Sequence, residues 1–174
     1  MNTPDTSTAP PAASSEGPGD VRVGDVMSVA LVTVGKEESV LMAWEILERT
    51  GFHHLPVVDG EGRCIGLVER SDLAVVCAQP AASLSERYAD ELVAGHRPPL
   101  VHDDTPVTRA AAHMTELGVD ALAVLDSAGT FVGLLTARDL VAVLAGRPRR
   151  PRRTAGTGPV MFSLEPVLPY PFDD

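Results

Sequence analysis

The chain has 174 residues, which is enough for one domain of ordinary size or for two small fused units. Apolar residues make up 44% of it and aromatic residues only 4%, so the core must be built from Val, Leu and Ala, and few rings remain to stack on nucleic-acid bases. The formal net charge of −10 argues against non-specific binding of the folded part to nucleic acid or to anionic membranes.

Residues 1–20 are rich in Pro, Ala, Ser and Thr, and they are predicted to form a disordered leader. They contain no apolar core typical of a signal peptide, and no run in the chain approaches the ~20 apolar residues that span a membrane. Cys64 and Cys77 lack C-x-x-C spacing and are predicted to be buried, reduced thiols. We therefore expect a cytoplasmic protein that does not contact a membrane.

The first structured unit is predicted over residues 21–78, and it starts with a short apolar strand at residues 31–34. A helix with apolar residues at helical spacing follows. Ser39 is a plausible N-cap for this helix, because its hydroxyl can accept from a free N–H of the first turn. Gly51 is placed to end the helix in a left-handed conformation.

The second half of this unit is predicted to be a β-hairpin followed by a helix. Strands at residues 54–58 and 64–68 flank a tight polar turn at residues 59–62. The closing helix is predicted to open at Asp72, because a carboxylate in the first turn suits the positive end of the helix dipole.

The second unit is predicted over residues 79–146, and it includes the segment that connects the two units. In that segment Ser83 and Glu86 have the spacing of a capping box, which predicts a short connecting helix. Farther on, Thr105 is predicted to cap a longer helix with Pro106 as its first residue.

The two units are copies of one another. Residues 34–73 align without a gap onto residues 101–140, so the second copy has predicted strands at 121–125 and 131–135 and a closing helix that opens at Asp139. Two copies of one unit can bury their apolar faces against each other and enclose a pseudo-symmetric cleft. The matches include Val34 with Val101, Gly51 with Gly118, Asp59 with Asp126, Gly66 with Gly133 and Asp72 with Asp139.

Residues 147–174 are rich in Pro, Arg and Gly and are predicted to form a flexible tail with polyproline character. A cluster of arginines in this tail could bind nucleic acid or an acidic partner, although a solvated tail is the simpler interpretation. The cluster consists of Arg147, Arg149, Arg150, Arg152 and Arg153.

A β-α-β-β-α unit in tandem, with Gly133, Thr136 and Asp139 leading into its last helix, resembles a pair of CBS domains, the module named after cystathionine β-synthase. The similarity covers residues 21–146. It implies a mixed α/β (α+β) fold in which the two repeats pack sheet to sheet about a pseudo-two-fold axis. It also implies clefts that bind an adenosine-containing ligand such as AMP, ATP or S-adenosylmethionine.

The resemblance implies a preferred site, called site 2, in the second copy. A carboxylate at the start of the helix can accept hydrogen bonds from ribose hydroxyls, and a hydroxyl three residues earlier can meet a phosphate. Arg138 adds a guanidinium that suits phosphate, and apolar side chains would form the adenine wall. The predicted residues of site 2 are Val101, His102, Ala121, Leu122, Thr136, Arg138 and Asp139.

The equivalent site 1 of the first copy is predicted to be weaker, because Glu69 replaces the expected Ser or Thr. A negative charge ~4 Å from a phosphate costs roughly 1 kcal/mol in water and ~4 kcal/mol at an effective dielectric of 20, unless Arg70 partly neutralises it. Site 1 is therefore predicted to be empty or to bind a ligand without phosphate. Its residues are Thr33, His54, Pro56, Ser71 and Asp72.

Adjacent histidines at His53 and His54 raise the question of a metal. No cysteine or carboxylate accompanies them at ligand spacing, so no metal site and no resident cofactor are predicted. The pair is expected either to face an adenine or to lie in an exposed turn.

The predicted function is a non-catalytic regulatory module, acting in energy sensing as a homodimer on an unknown target protein. The chain shows no nucleophile paired with a base and no Gly-rich phosphate loop, so an enzyme is disfavoured. The sequence is also compatible with a ligand-free structural dimerisation module, or with a nucleic-acid-binding regulator that acts through the Arg-rich tail.

Overall fold

The computed structural model describes residues 21–29, 32–76 and 84–146, together with the backbone of residues 160–161. The predicted leader at residues 1–20, part of the connecting segment and the tail at residues 147–174, apart from those two residues, lie outside the described residues. Cys77 and Ser83 also lie outside them.

The first repeat has the predicted order of elements. Ser39 caps α2, since its Oγ accepts from the Met42 N–H at 3.2 Å, and Gly51 ends the helix with φ of 69°. Both predictions are confirmed. The elements are α1 (Val23–Val26), β1 (Val32–Gly35), α2 (Val40–Thr50), β2 (His54–Val58), β3 (Cys64–Glu69) and α3 (Arg70–Val76).

The second repeat has the same order. Its long helix begins at Val107 rather than at Pro106, because Pro106 has extended backbone and occupies the N-cap position. The closing helices begin at Arg70 and Ala137, so the two predicted opening acids lie within the first turn. The elements are α4 (Ala89–Val93), β4 (Leu100–His102), α5 (Val107–Leu117), β5 (Ala121–Leu125), β6 (Phe131–Thr136), α6 (Ala137–Leu144) and, in the tail, β7 (Val160–Met161).

Each repeat has its own sheet. The first sheet has the strand order β3-β2-β1-β7 and the second has the order β4-β5-β6. In both, the first strand lies parallel to the second, and the second and third form an antiparallel hairpin. The hairpins share one register, which sets His54 opposite Glu69 in one repeat and Ala121 opposite Thr136 in the other.

The two hairpin turns are built in the same way by an aspartate. Oδ1 of Asp59 accepts the N–H groups of Glu61 and Arg63, each at 2.9 Å. Oδ1 of Asp126 accepts those of Ala128 and Thr130 at 2.9 and 2.8 Å. Asp59 and Asp126, which match in the repeated sequence, therefore have the same structural role. Each accepts hydrogen bonds from backbone N–H groups at the hairpin turn.

The repeats exchange their leading helices. Val23 and Val26 of α1 are fully buried in the core of the second repeat, whereas Ala89 and Val93 of α4 are buried in the core of the first. The two crossings are fixed by equivalent backbone hydrogen bonds, for example from Val23 N–H to Thr105 O at 2.9 Å. Each core is therefore completed by a helix that precedes the other repeat's first strand.

A third apolar cluster joins the two sheets. Cys64 and Val58 from the first repeat pack there with Phe131, Leu134, Ala121 and Ala123 from the second. This contact confirms the predicted face-to-face packing of the two repeats. Burial at this interface raises the pKa of the Cys64 thiol from 9.0 to about 11.

Cys64 should be almost inert to thiol reagents in the folded protein. A pKa raised by about two units lowers the thiolate fraction about a hundredfold below pH 9, and the thiolate is the reactive species. The measurement is the rate of reaction with a disulfide reagent at pH 8 in a Cys77→Ser variant, native and in urea. A native rate close to the rate in urea would contradict the burial of Cys64 between the sheets.

Two glycines permit the close approach of the exchanged segments. A β-carbon on Gly66 would lie 2.4 Å from Cβ of Val93 in α4, and one on Gly133 would lie 2.9 Å from the carbonyl oxygen of Ser28. Ser28 and Leu134 exchange two backbone hydrogen bonds at this point, of 2.9 and 3.0 Å.

Among the described residues, no helix is long and apolar enough to cross a membrane.

Candidate functional site

A cleft of about 970 Å³ lies where the two repeats meet. One side is formed by the end of β6 and the start of α6 in the second repeat, and the other by the turn from α2 into β2 in the first. Its size is within the range of pockets that bind small molecules. The lining residues are Ser28, Val32, Thr50, Gly51, Phe52, His53, His54, Pro56, Asp120, Leu134, Thr136, Ala137, Arg138, Asp139 and Ala142.

Asp139 is the buried acid of this cleft, with only 8% of its surface exposed. Its Oδ2 accepts from the N–H of Thr136 at 2.9 Å and from the Thr136 hydroxyl at 2.7 Å. The first of these bonds, together with the bond that the Asp139 N–H donates to Thr136 Oγ1 at 3.4 Å, forms a capping box at the start of α6. The three bonds fix the orientation of the carboxylate. Oδ1 accepts no hydrogen bond from the residues that the structure describes, so it is available to a ligand.

The cleft also offers groups that complement an anion and an aromatic ring. Arg138 is exposed at the start of α6, where the helix dipole favours negative charge. Across the cleft, Phe52 and Pro56 present apolar surface from the first repeat. A ligand with a sugar, an anionic group and a flat apolar ring therefore finds a matching group for each part.

The residues predicted for site 2 are divided between this cleft and other parts of the second repeat. Thr136, Arg138 and Asp139 line the cleft together, but the four predicted wall residues do not. Two of the four pack into the core of the second repeat, so their side chains are not available to a ligand in this cleft. Val101 and Leu122 are in the core of the second repeat, Ala121 is in the cluster between the sheets, and His102 is exposed on β4.

The residues predicted for site 1 are divided between two places. His54 and Pro56 line the same cleft as Asp139, because the turn before β2 faces the helix start of the other repeat. Thr33 is buried on β1 and does not line this cleft, although its neighbour Val32 does. Ser71 and Asp72 are exposed on α3, outside this cleft.

The helix start of the first repeat differs from that of the second. Asp72 accepts the Glu69 N–H at 3.1 Å, and the Ser71 hydroxyl donates to the Glu69 carboxylate at 3.1 Å. Arg70 does not neutralise Glu69, because its guanidinium donates at 2.7 Å to Glu48 and to the carbonyl of Leu47 at the end of α2. The negative charge of Glu69 is therefore not paired with the neighbouring guanidinium.

Sequence reasoning missed part of the cleft, above all Asp120. Its carboxylate lies 2.6 Å from Nε2 of His54 and so joins the two repeats. Asp120 precedes β5 at the position equivalent to His53, and only the face-to-face arrangement of the repeats reveals its role. The remaining lining residues that were not predicted are Ser28, Val32, Thr50, Gly51, Phe52, Leu134, Ala137 and Ala142.

Curated relatives of this chain carry the same pair of repeats. A CBS domain-containing protein of Dictyostelium discoideum is 31% identical over 134 residues, which are 71% of this chain and 91% of the relative. The L-aspartate semialdehyde sulfurtransferase of Methanocaldococcus jannaschii is 26% identical over 125 residues. The match covers 72% of this chain but only 23% of that enzyme, so the chain corresponds to less than a quarter of it.

Solved structures with bound ligands share the fold. The CBS domain pair of protein MJ0100, in complex with 5′-methylthioadenosine and S-adenosylmethionine, is 26% identical with a TM-score of 0.62, and the match covers 72% of this chain and 97% of that one. CBSX2 in complex with AMP is 28% identical with a TM-score of 0.62, and the match covers 72% and 96%.

The family model of the CBS domain matches twice, at residues 23–78 and at residues 90–146. These two ranges contain nearly all the elements described above, including both helix starts and both hairpins. The chain therefore belongs to the CBS-domain family, of which it carries a tandem pair.

Proposed function

We propose that the cleft binds an adenosine-containing ligand of the AMP, ATP or S-adenosylmethionine class, and that the chain acts as a non-catalytic cytoplasmic regulator in energy sensing. Its occupancy would be transmitted to a separate target protein. The ligand is regulatory and is not a cofactor of any reaction on this chain.

The orientation of Asp139 is the observation that carries this proposal. One carboxylate oxygen is held by Thr136 and the other is available, so the group can accept hydrogen bonds from ribose hydroxyls without first being ordered. Arg138 and the start of α6 lie beside it and suit a phosphate or carboxylate. Phe52 and Pro56 lie on the opposite side of the cleft, where their apolar surface suits adenine.

The composite nature of the cleft supports a regulatory role. Its acid and its apolar wall come from different repeats, so a ligand that bridges them binds one relative placement of the repeats better than others. A ligand can shift a conformational equilibrium only by such a difference in affinity. The partner would then recognise the placement that the ligand favours.

We also propose that the chain forms a homodimer through its closing helices. Val75 on α3 is 78% exposed, and Val141 and Leu144 on α6 are 62% and 76% exposed. The two helices are equivalent in the repeats, and exposed aliphatic side chains on equivalent helices suit a symmetric contact. Dimer formation would couple the placement of the repeats in one chain to that in the other.

The test is a thermal unfolding series of the full chain with AMP, ATP, S-adenosylmethionine and 5′-methylthioadenosine, and with GMP as the control. A ligand that binds only the folded state at a hundred times its Kd stabilises it by about 2.7 kcal/mol, so at least one adenosine compound should raise the Tm by several degrees. GMP should raise it less. Equal Tm values with and without every adenosine compound at millimolar concentration would favour the ligand-free dimerisation module instead.

A further inference from the structure

We propose that His54, Glu69 and Asp120 form a binding site for a divalent transition-metal ion of the Zn²⁺ type between the two repeats. The inference does not rest on the proposed nucleotide function, because it needs only these three side chains. Their donor atoms, one from each residue, all lie within 4.8 Å of one another.

The three ligands come from three separate places in the fold. His54 is the first residue of β2, Glu69 is the last residue of β3 directly opposite it, and Asp120 precedes β5 in the other repeat. The register of the hairpin sets the first two side by side, and the packing of the sheets brings the third to them. Two of the three ligands are therefore positioned by the hairpin, and the third by the packing of the two repeats.

The histidine is well placed to act as the anchoring ligand. Its side chain is only 10% exposed, and its Nε2 points at Oδ1 of Asp120 at 2.6 Å. A tetrahedral zinc ion with ligands about 2.0–2.2 Å away separates donor atoms by about 3.4 Å. Asp120 must therefore withdraw by less than 1 Å, roughly, and its side chain is 63% exposed and so has room to move.

The charge of the cluster favours a divalent cation. Two carboxylates and a neutral imidazole carry a net charge of −2, which one divalent ion cancels. Arg70 follows Glu69 in the sequence but does not pair with its carboxylate, because the guanidinium donates to Glu48 and to the carbonyl of Leu47. The Ser71 hydroxyl donates to Glu69 at 3.1 Å and orients its carboxylate, as outer hydrogen bonds commonly do for metal ligands.

The cluster can be reached from solvent. A second cavity of about 440 Å³ lies between α5 and α6 and is lined by both Glu69 and Asp120. It exists because Ala137 stands where the first repeat has Arg70, whose long side chain spans the equivalent space between α2 and α3. An ion could enter by this cavity, and water molecules in it could complete the coordination.

One imidazole and two carboxylates suit zinc better than the alkaline-earth ions. Imidazole is a common ligand of Zn²⁺, whereas Mg²⁺ prefers oxygen ligands in a near-ideal octahedron. The proposal also gives Glu69 a role. The residue that disfavours phosphate at the first helix start would supply a metal ligand at the same place.

The experiment uses the full chain without an affinity tag of histidines, after dialysis against a chelator. Zn²⁺ and Mg²⁺ are titrated by calorimetry, and Co²⁺ is titrated as a spectroscopic probe. We expect one Zn²⁺ per chain at this site, weak or no response to Mg²⁺, and Co²⁺ bands of a nitrogen and oxygen site without thiolate charge transfer. The absence of thiolate bands separates this site from any that uses Cys77.

Two variants and a control decide whether these residues bind the ion. Glu69→Thr introduces the residue of the equivalent position in the second repeat, and Asp120→Asn keeps the size of an exposed side chain, so both should fold. Each should weaken the binding of Zn²⁺ at least about tenfold. Removal of a residue that only hydrogen-bonds to a metal ligand already lowers metal affinity about 10–100-fold. Asp104→Asn, an acid outside the cluster, should bind as the unaltered chain does.

The outcomes separate the proposal from its rivals. Weakened binding in both variants but not in the control supports the site, whatever the result with nucleotides. Failure to bind Zn²⁺, or equal binding by the unaltered chain and both variants, overturns it. A Co²⁺ spectrum with thiolate bands that both variants retain would also overturn it and would place the ion at a cysteine.

Discussion

Replacing Asp139 with Asn should weaken the binding of AMP at least about a hundredfold. A hydrogen bond to a charged group contributes about 1.5–3 kcal/mol, and two of them to ribose hydroxyls amount to two to four decades at about 1.4 kcal/mol per tenfold. The Asn amide has a single acceptor oxygen, so it cannot both accept from Thr136 as Oδ2 does and offer a second acceptor oxygen to the ribose. The measurement is the Kd by calorimetry.

Asp72→Asn is the matched control for this change. Asp72 occupies the equivalent position in the first repeat, caps the Glu69 N–H in the same way and is exposed. Its replacement should alter the Kd by no more than about threefold, since exposed groups outside the cleft contribute little. Thermal unfolding of both variants must show that the folded state persists. Loss of binding in Asp72→Asn alone would reverse the assignment of the sites.

A thermodynamic cycle that combines the Asp139→Asn variant with the analogue 2′,3′-dideoxy-AMP would show whether Asp139 interacts with the ribose hydroxyls. The unaltered chain should bind this analogue about as weakly as the Asp139→Asn variant binds AMP. The variant should lose little further affinity when the analogue replaces AMP, because the two changes remove the same interaction and their effects are not additive. Additive losses would show that Asp139 acts on another part of the ligand.

Replacing Gly66 with Ala should lower the free energy of unfolding by about 1–3 kcal/mol, which is the usual cost of overpacking a core. The added carbon would lie 2.4 Å from Cβ of Val93 and 2.5 Å from its Cγ1. Because a β-carbon moves only with its backbone, α4 must shift away from β3. Urea unfolding monitored by circular dichroism measures the change.

Gly60→Ala is the control for this prediction. Gly60 lies in the turn of the same hairpin, has no atom within 4 Å of an added β-carbon and is not among the glycines with positive φ. Its replacement should change the free energy of unfolding by less than about 1 kcal/mol. Equal losses in both variants would contradict the packing of the exchanged helix on β3.

The repeat in the sequence predicted the fold because it lies in residues that determine backbone geometry. Asp59 and Asp126 fix identical turns, Gly51 ends a helix with positive φ, and the strand at residues 121–125 has the predicted bounds. These are local effects, which a pattern along the chain records directly.

The composition of the site could be predicted only in part. Thr136 and Asp139 belong to one local motif, so their capping box follows from spacing alone. The wall of the cleft depends on how two copies meet, which no local pattern encodes. The pairing of His54 with Asp120, which are 66 residues apart, is of the same kind.

A crystal structure of the chain grown with AMP would test the account most directly. We expect the nucleotide in the cleft between the repeats, with its ribose hydroxyls within hydrogen-bond distance of Oδ1 of Asp139 and its adenine against the segment from Phe52 to Pro56. AMP bound elsewhere, or in this cleft with its ribose directed away from Asp139, would contradict it.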